Sequence, residues 1–390
     1  MTSDVLPEVQ HPGFYIKAEL EARGWAQSDL AFVMGKSVQQ LNVILSGKVS
    51  ITADMAFLLG EAFSMPAEFF TNLESQYQLS KAQVSHPDVR KRAHWQSVFP
   101  IRDMLKRGWI EESDASLLDV QMLRFFEKND LNDIPFLNDN VEVVGYAARK
   151  TEPYLPTAEE LVWLYRVRQV ARQLDVPAYS RDRLVSALPE LKQLMGDTED
   201  VSSVYNILAQ CGVRFVIVEC LPKAKIDGVC TWLDDQPVVA ITTRYDRVDN
   251  FWFVLRHEIE HVLQEHGKQR GFTAIDNIDD QNSEKSHEIV EEERLANAAA
   301  SEFCVPQDQL MSFIARKSPY ISEKDVVGFS RRLEVHPAIV VGQLQFAMKK
   351  WSFLRKYMSA KVGGVRGILI RELKGLNVVD GWDETVTLEL

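Results

Sequence analysis

The stretch Phe251 to Leu263, F-W-F-V-L-R-H-E-I-E-H-V-L, constrains this chain more than any other. Phe251, Trp252, Val254, Leu255, Val262 and Leu263 supply a broad apolar face, the pattern of a helix packed into a core. His257 and His261 are four residues apart. On that helix they share a face, one turn and about 6 Å apart along the axis. Two imidazoles so placed can bind one metal ion. Glu258 lies beside the first of them, within reach of a water at that ion, and is the natural general base.

A catalytic zinc takes three protein ligands and keeps a fourth position open. The best candidate for the third ligand is Glu293, in E-R-L-A-N (Glu293 to Asn297). Asn297 is four residues further and shares its face, placed to orient a ligand histidine by a hydrogen bond. Glu291 and Glu292 read as a solvated acidic first turn. His287-Glu288 has no second histidine four residues on and is set aside. His266, just beyond the first helix, is a weaker candidate, a donor to the tetrahedral intermediate of acyl transfer.

The rest of the chain bounds the context. Its 390 residues suffice for two or three domains, and a net charge of -12 argues against a protein that coats nucleic acid or an anionic membrane. The four cysteines form no C-x-x-C pair, so a thiolate knuckle is not expected and free thiols in a reducing cytoplasm are. Met1 to Gln10 has no apolar segment of the signal-peptide kind. No apolar run approaches the roughly 18 to 20 residues of a membrane span. The expectation is a cytoplasmic protein with no membrane partner.

Four segments are expected: residues 1–80, 81–200, 201–350 and 351–390. The first has helical periodicity broken at Gly24, Gly35 and Gly47, with Ser37 as an N-cap, which suggests a helix-turn-helix. The second reads as scaffold or linker helices, with Ala158 to Leu174 the best amphipathic stretch. In the third, Val213 to Val218, Val229 to Leu233 and Pro237 to Thr243 read as strands, the last two joined as a hairpin by Asp234-Asp235-Gln236. Two helices follow, Phe251 to Gln264 and Glu288 to Phe303, so the segment is expected to be α+β. Pro237 to Thr243 is taken as an edge strand to which a peptide substrate could add. In the fourth, Gly367 to Ile370 and Thr385 to Leu390 look like strands without a motif.

The third segment resembles the ImmA/IrrE metallopeptidases. G-V-R-F-V-I-V (Gly212 to Val218), G-V-C-T-W (Gly228 to Trp232), Q-P-V-V-A-I-T-T-R-Y (Gln236 to Tyr245) and the His-Glu-x-x-His helix carry the resemblance. So do E-R-L-A-N-A-A-A-S-E-F-C-V-P (Glu293 to Pro306) and F-S-R-R-L-E-V-H-P-A-I-V-V-G-Q-L-Q (Phe329 to Gln345). It implies a gluzincin-like α+β domain, zinc ligands His257, His261 and Glu293, and Glu258 as general base. It also implies DNA-binding repressors as substrates, whose cleavage switches on stress or mobile-element genes. The chain departs from the family in three places. Glu260 stands where glycine is usual, Ala299 replaces a phenylalanine, and His266 lies one residue later than the family's frequent extra histidine.

His11 to Leu79 resembles lambda-repressor-like helix-turn-helix domains of the HigA antitoxin type, through H-P-G-F-Y-I-K-A-E-L (His11 to Leu20), A-Q-S-D-L-A (Ala26 to Ala31), S-G-K-V-S-I-T-A-D-M-A (Ser46 to Ala56) and P-A-E-F-F-T-N-L (Pro66 to Leu73). The resemblance implies a recognition helix from Ser37 to Leu45. Ser37, Gln39, Gln40 and Asn42 then face the bases, and Gln27, Lys36 and Lys48 the phosphates. Charge opposes this. From Met1 to Leu79 there are four basic side chains (Lys17, Arg23, Lys36, Lys48) against nine acidic ones (Asp4, Glu8, Glu19, Glu21, Asp29, Asp54, Glu61, Glu68, Glu74). Phosphate neutralisation dominates DNA affinity, so a monomer is expected to bind weakly, and a homodimer would help by adding a second half-site.

Two readings follow. One is a zinc endopeptidase placed by its helix-turn-helix on double-stranded DNA or on a repressor-type protein substrate, controlling stress, toxin-antitoxin or mobile-element genes. The other is a DNA-binding regulator or antitoxin whose metallopeptidase-like domain senses a ligand or partner.

Overall fold

The structure is a computed structural model that describes residues 9–82, 86–111, 114–137, 157–268 and 287–382, without the side chains of 287–290. The chain divides into two compact units, Met1–Pro87 and Asp88–Leu390.

Among its described residues the first unit has five helices: α1 (Pro12–Arg23), α2 (Gln27–Val33), α3 (Val38–Leu45), α4 (Ala53–Phe63) and α5 (Ala67–Lys81). The breaks fall where local chemistry puts them. Gly24, in the left-handed region at φ 66°, ends α1, and Ser37 caps α3 by accepting from Gln40 N at 3.1 Å. The H-P-G start also has a physical reading. His11 Nδ1 accepts from Gly13 N at 2.9 Å, Pro12 occupies the first helical turn, and a Cβ on Gly13 would meet the Leu45 carbonyl oxygen at 2.4 Å. Glycine there lets α1 sit against the end of α3. Ile16, Leu20, Leu30, Leu41, Leu45, Leu59, Phe63 and Phe70 fill the core between the helices. Buried Glu74 crosses from α5 to accept from Ile51 N at 3.1 Å.

The second unit opens with α6 (Pro87–Val98), α7 (Ile101–Lys106) and α8 (Leu118–Phe125), then α9 (Ala158–Arg172), α10 (Arg181–Gln193) and α11 (Val204–Gln210). β1 (Arg214–Val218), β2 (Gly228–Leu233) and β3 (Gln236–Ile241) follow, then α12 (Val248–Leu263) and α13 (His287–Cys304). The chain continues through α14 (Gln307–Lys317), α15 (Glu323–Leu333), α16 (Pro337–Met348), α17 (Ala360–Gly363) and α18 (Arg366–Leu373) to β4 (Val379–Asp380). The sheet runs β2-β3-β1-β4, with β1 parallel to β3 and β4, and β2 antiparallel to β3. This α+β layering is the one expected.

Two sequence readings are corrected. The strand expected as an edge, Pro237 to Thr243, is interior. β3 pairs on both sides, and the edge is β2, because the hairpin partner takes one side of β3 and β1 takes the other. Gly367 to Ile370 is helical, part of α18. Its β-branched run is overridden by burial of Ile368, Leu369, Ile370 and Leu373, and Asp246 Oδ1 accepts from Val365 N and Arg366 N at 2.7 Å each. Thr385 to Leu390 lies outside the described residues.

One core runs from Trp95 to Val378. Specific bonds tie distant segments into it. Trp163 Nε1 of α9 donates to Val218 O of β1 at 3.0 Å, and Arg166 clamps Asp380 of β4 with two bonds of 2.9 Å. Trp109 Nε1 reaches the same carboxylate at 2.7 Å.

Candidate metal centre

α12 packs between the sheet and α13, and its apolar residues fix its rotation. Phe251, Trp252, Val254, Leu255, Ile259 and Val262 are all buried, which turns His257 and His261 toward α13. α13 comes close because Ala296 and Ala300, both fully buried, share a face with Glu293 at helical spacing. Small residues thereby deliver the carboxylate.

The result is a convergent donor set. His257 Nε2 and His261 Nε2 are 3.1 Å apart, and the Glu293 oxygens lie 3.6 Å from the first and 3.7 Å from the second. All three ligand atoms lie within 4.8 Å of one another. Tetrahedral zinc with bonds of about 2.0–2.1 Å separates its ligand atoms by roughly 3.3 Å, so the spacing fits that ion with little adjustment. Glu258 is 0 % exposed and packs beneath the first residue of β2. A Cβ on Gly228 would fall 2.7 Å from Glu258 Oε1 and 2.5 Å from Val254 Cγ1. Glycine at that position is what leaves room for the Glu258 carboxylate.

His266 belongs to the cluster. α12 ends in a turn in which Glu265 adopts φ 55° and His266 N returns to His261 O at 2.9 Å. That turn sets the two rings together, Nδ1 to Nδ1 at 2.8 Å. Trp232 Nε1 of β2 donates to the His266 carbonyl at 2.9 Å and fixes the turn to the edge strand. Asn297 is exposed and makes no hydrogen bond to the cluster among the described residues. Glu260 is buried and pairs with residues of its own helix region. It accepts from Arg256 Nη2 and Gln264 Nε2 at 2.7 Å each. Burial pushes its carboxyl up, but those two bonds and the arginine charge outweigh this and hold it below the ordinary range. Burial also raises the thiols of Cys211 and Cys220 and lifts Cys304 to about 12, which keeps them protonated.

Sequence reasoning singled out His257, His261, Glu293 and His266, whose side chains the structure brings together, and Glu258 beside them. It missed Gly228, whose role depends on a strand crossing a helix residue thirty positions away. It also missed the Arg256 and Gln264 pairing that absorbs Glu260, although the i, i+4 spacing on either side was available as a signal.

In the first unit, Lys36, Ser37, Gln39, Gln40, Asn42 and Lys48 are exposed along or beside α3, and Gln27 is half-buried. Gln40 also spends its side-chain oxygen on the cap, accepting from Ser37 N at 3.2 Å. No helix among the described residues is long and apolar enough to cross a membrane.

Comparison with known proteins agrees with this division. Residues 16–70 match the helix-turn-helix family and residues 212–343 the IrrE N-terminal-like domain family of peptidases. Over 87 residues the chain is 33 % identical to virulence-associated protein A' of Dichelobacter nodosus, covering 22 % of this chain and 75 % of that protein. A Pseudomonas aeruginosa protein solved in complex with its 18 bp operator DNA is 35 % identical over 19 % of this chain and 81 % of its own, at a TM-score of 0.19. The chain therefore joins an XRE-type helix-turn-helix domain to a peptidase-family domain of the ImmA/IrrE type.

Proposed function

We propose that this protein is a zinc-dependent endopeptidase whose helix-turn-helix binds double-stranded DNA and whose substrate is a repressor-type protein. The observation that carries the reading is the convergence of His257, His261 and Glu293 beside a fully buried Glu258.

His257 Nε2, His261 Nε2 and Glu293 would hold the zinc. When bound, the metal supplies Lewis-acid polarisation of the scissile carbonyl and lowers the pKa of water toward about 7. Glu258 takes the proton from the attacking water and hands it to the leaving amine. His266 acts through His261. With Nε2 given to the metal, His261 Nδ1 carries the hydrogen and donates it to His266 Nδ1, which fixes tautomer and ring orientation. β2, the edge of the sheet on the hairpin side among the described residues, is where an extended substrate strand would add. Peptides N-methylated at the pairing amides should then resist cleavage, and equal cleavage of methylated and plain peptides removes this docking mode.

Elemental mass spectrometry of the dialysed protein tests the centre. One zinc per chain is expected, lost in His261→Ala and Glu293→Ala and kept in Glu258→Gln. Glu258→Gln should abolish proteolysis of a co-expressed repressor. If the biological output survives Glu258→Gln, the regulator with a sensing domain is the better description. DNA binding is read by fluorescence anisotropy against salt. Gln39→Ala and Asn42→Ala should each weaken a preferred sequence by about 1–3 kcal/mol, and Lys36→Ala and Lys48→Ala should lower the salt slope. Size-exclusion with light scattering decides whether a homodimer supplies the second half-site.

A further inference from the structure

A second concave site lies in the peptidase unit, formed by none of the zinc ligands. It opens at the carboxyl ends of the three parallel strands: Glu219 and Cys220 follow β1, Thr243 and Arg244 follow β3, and Trp382 follows β4. Its volume is about 350 Å³, the size of a small-molecule pocket.

Its charge is unlike that of the chain. Three arginines (107, 244 and 366) and Lys223 line it against one carboxylate, Glu219, in a protein of net charge -12. Two of the cations are spoken for. Arg107 sits 3.2 Å from Glu219, and Arg244 makes bonds of 3.1 and 3.3 Å to buried Asp227. Arg366 and Lys223 have no carboxylate within ion-pair distance among the described residues. Arg366 is nevertheless held in place. It leaves the start of α18, and its Nη2 donates to Thr243 O at 2.6 Å, which anchors the guanidinium at the rim. Arg107 is 7 % exposed, and its Nε is buried without a hydrogen-bond partner. Positioned arginines, an unmet buried donor and an indole at the wall suit a phosphate group carried on a small planar molecule.

We propose that this cavity binds a small phosphorylated ligand through Arg366, Lys223 and Arg244, and that occupancy is communicated to the catalytic base. The route is short. Arg244 is held by Asp227, and Asp227 precedes Gly228, the residue on which Glu258 packs. A phosphate that draws Arg244 from Asp227 shifts the start of β2 against that carboxylate.

Isothermal titration of the full chain with inorganic phosphate and, separately, with adenosine monophosphate tests this, against sodium chloride at matched ionic strength. One saturable site is expected. Arg366→Gln should weaken it at least tenfold, and so should Lys223→Glu, an exposed loop position whose exchange leaves the core intact. Glu258→Gln should retain one saturable site, so the result is independent of proteolysis. Tighter binding of the nucleotide assigns Trp382 a stacking role, and equal binding assigns recognition to the phosphate alone. No saturable binding of either probe, or binding that both variants keep, overturns the site. Hydrogen exchange at residues 219–228 should slow on phosphate addition, and unchanged exchange there overturns the link to Glu258.

Discussion

The two units are built on different principles. In the helix-turn-helix unit several helix ends sit on local signals, such as Gly24 and the Ser37 and Thr52 caps, and among the described residues its longest-range side-chain hydrogen bond, Arg23 Nη2 to Phe63 O, spans 40 positions. In the peptidase unit the bonds that matter span the chain: Trp109 and Arg166 to Asp380, Val365 to Asp246, Trp232 to His266. A local fold tolerates loss of a cap. A fold closed by long-range polar clamps around a buried carboxylate, Glu258, is expected to lose function when the close approaches are disturbed.

The largest effect is expected where two elements touch with no spare room. Gly228→Val places carbons where Val254 Cγ1 and Glu258 Oε1 already lie. Overpacking costs about 1–3 kcal/mol, and displacement of the base should cut cleavage by roughly a hundredfold or more. Calorimetry should show the peptidase transition lowered while DNA binding is unchanged. A variant with normal stability and turnover would mean that β2 yields freely and that the comparison is overdrawn. Next comes His266→Ala. It removes the partner of His261 Nδ1 and should weaken zinc affinity by about 10–100-fold, read by competition with a chelating dye, without unfolding the chain. Unchanged affinity would show that His261 is oriented by packing alone.

Legibility follows the same division. Ser37, Gly24 and Gly47 marked the first unit's helices because caps and left-handed glycines act within a few residues. The two helices that bring His257, His261 and Glu293 together were legible too, since i, i+4 spacing already encodes a shared face. What was hidden depended on pairing between distant segments. Alternation cannot say which strand of a hairpin is interior, so β3 was mistaken for the edge. A run such as G-I-L-I satisfies a strand or a buried helix turn equally until its neighbours are known. The basic cavity collects residues 107, 223, 244 and 366, which no spacing rule connects.

A smaller effect tests the clamps themselves. Asp380→Asn leaves the shape but removes the charge that Arg166 and Trp109 share, with both ion-pair side chains about four-fifths buried. Hydrogen bonds to charged groups contribute about 1.5–3 kcal/mol, so roughly 2 kcal/mol should go from the peptidase unit. Urea unfolding at fixed pH measures it. Arg166→Gln should cost a similar amount, and the double variant less than the two added together, because the partners are in contact. Strict additivity would mean that the pair does not act as a clamp.

The smallest effect belongs to the first unit and carries a sign. His11 caps α1 by accepting at Nδ1, which requires a neutral ring. Burial lowers its pKa below 6.5, partly opposed by the nearby Glu74 carboxylate. The folded value is below the unfolded one. The contribution is therefore complete above pH 6.5 and is lost as pH falls through the folded value. Glu74 does not confuse the window. Burial pushes its carboxyl up, but hydrogen bonds from Gln78, Ile51 and Ser50 bring it below 4.5, so it stays charged while His11 titrates. An N-cap is worth about 1 kcal/mol, and hydrogen exchange along Pro12–Arg23 should quicken by roughly fivefold between pH 7 and pH 5 after correction for intrinsic rates. His11→Asn, which caps without titrating, should abolish the dependence. If the asparagine variant keeps the same pH response, the unit's acid sensitivity lies elsewhere and its stability is less local than its helix caps suggest.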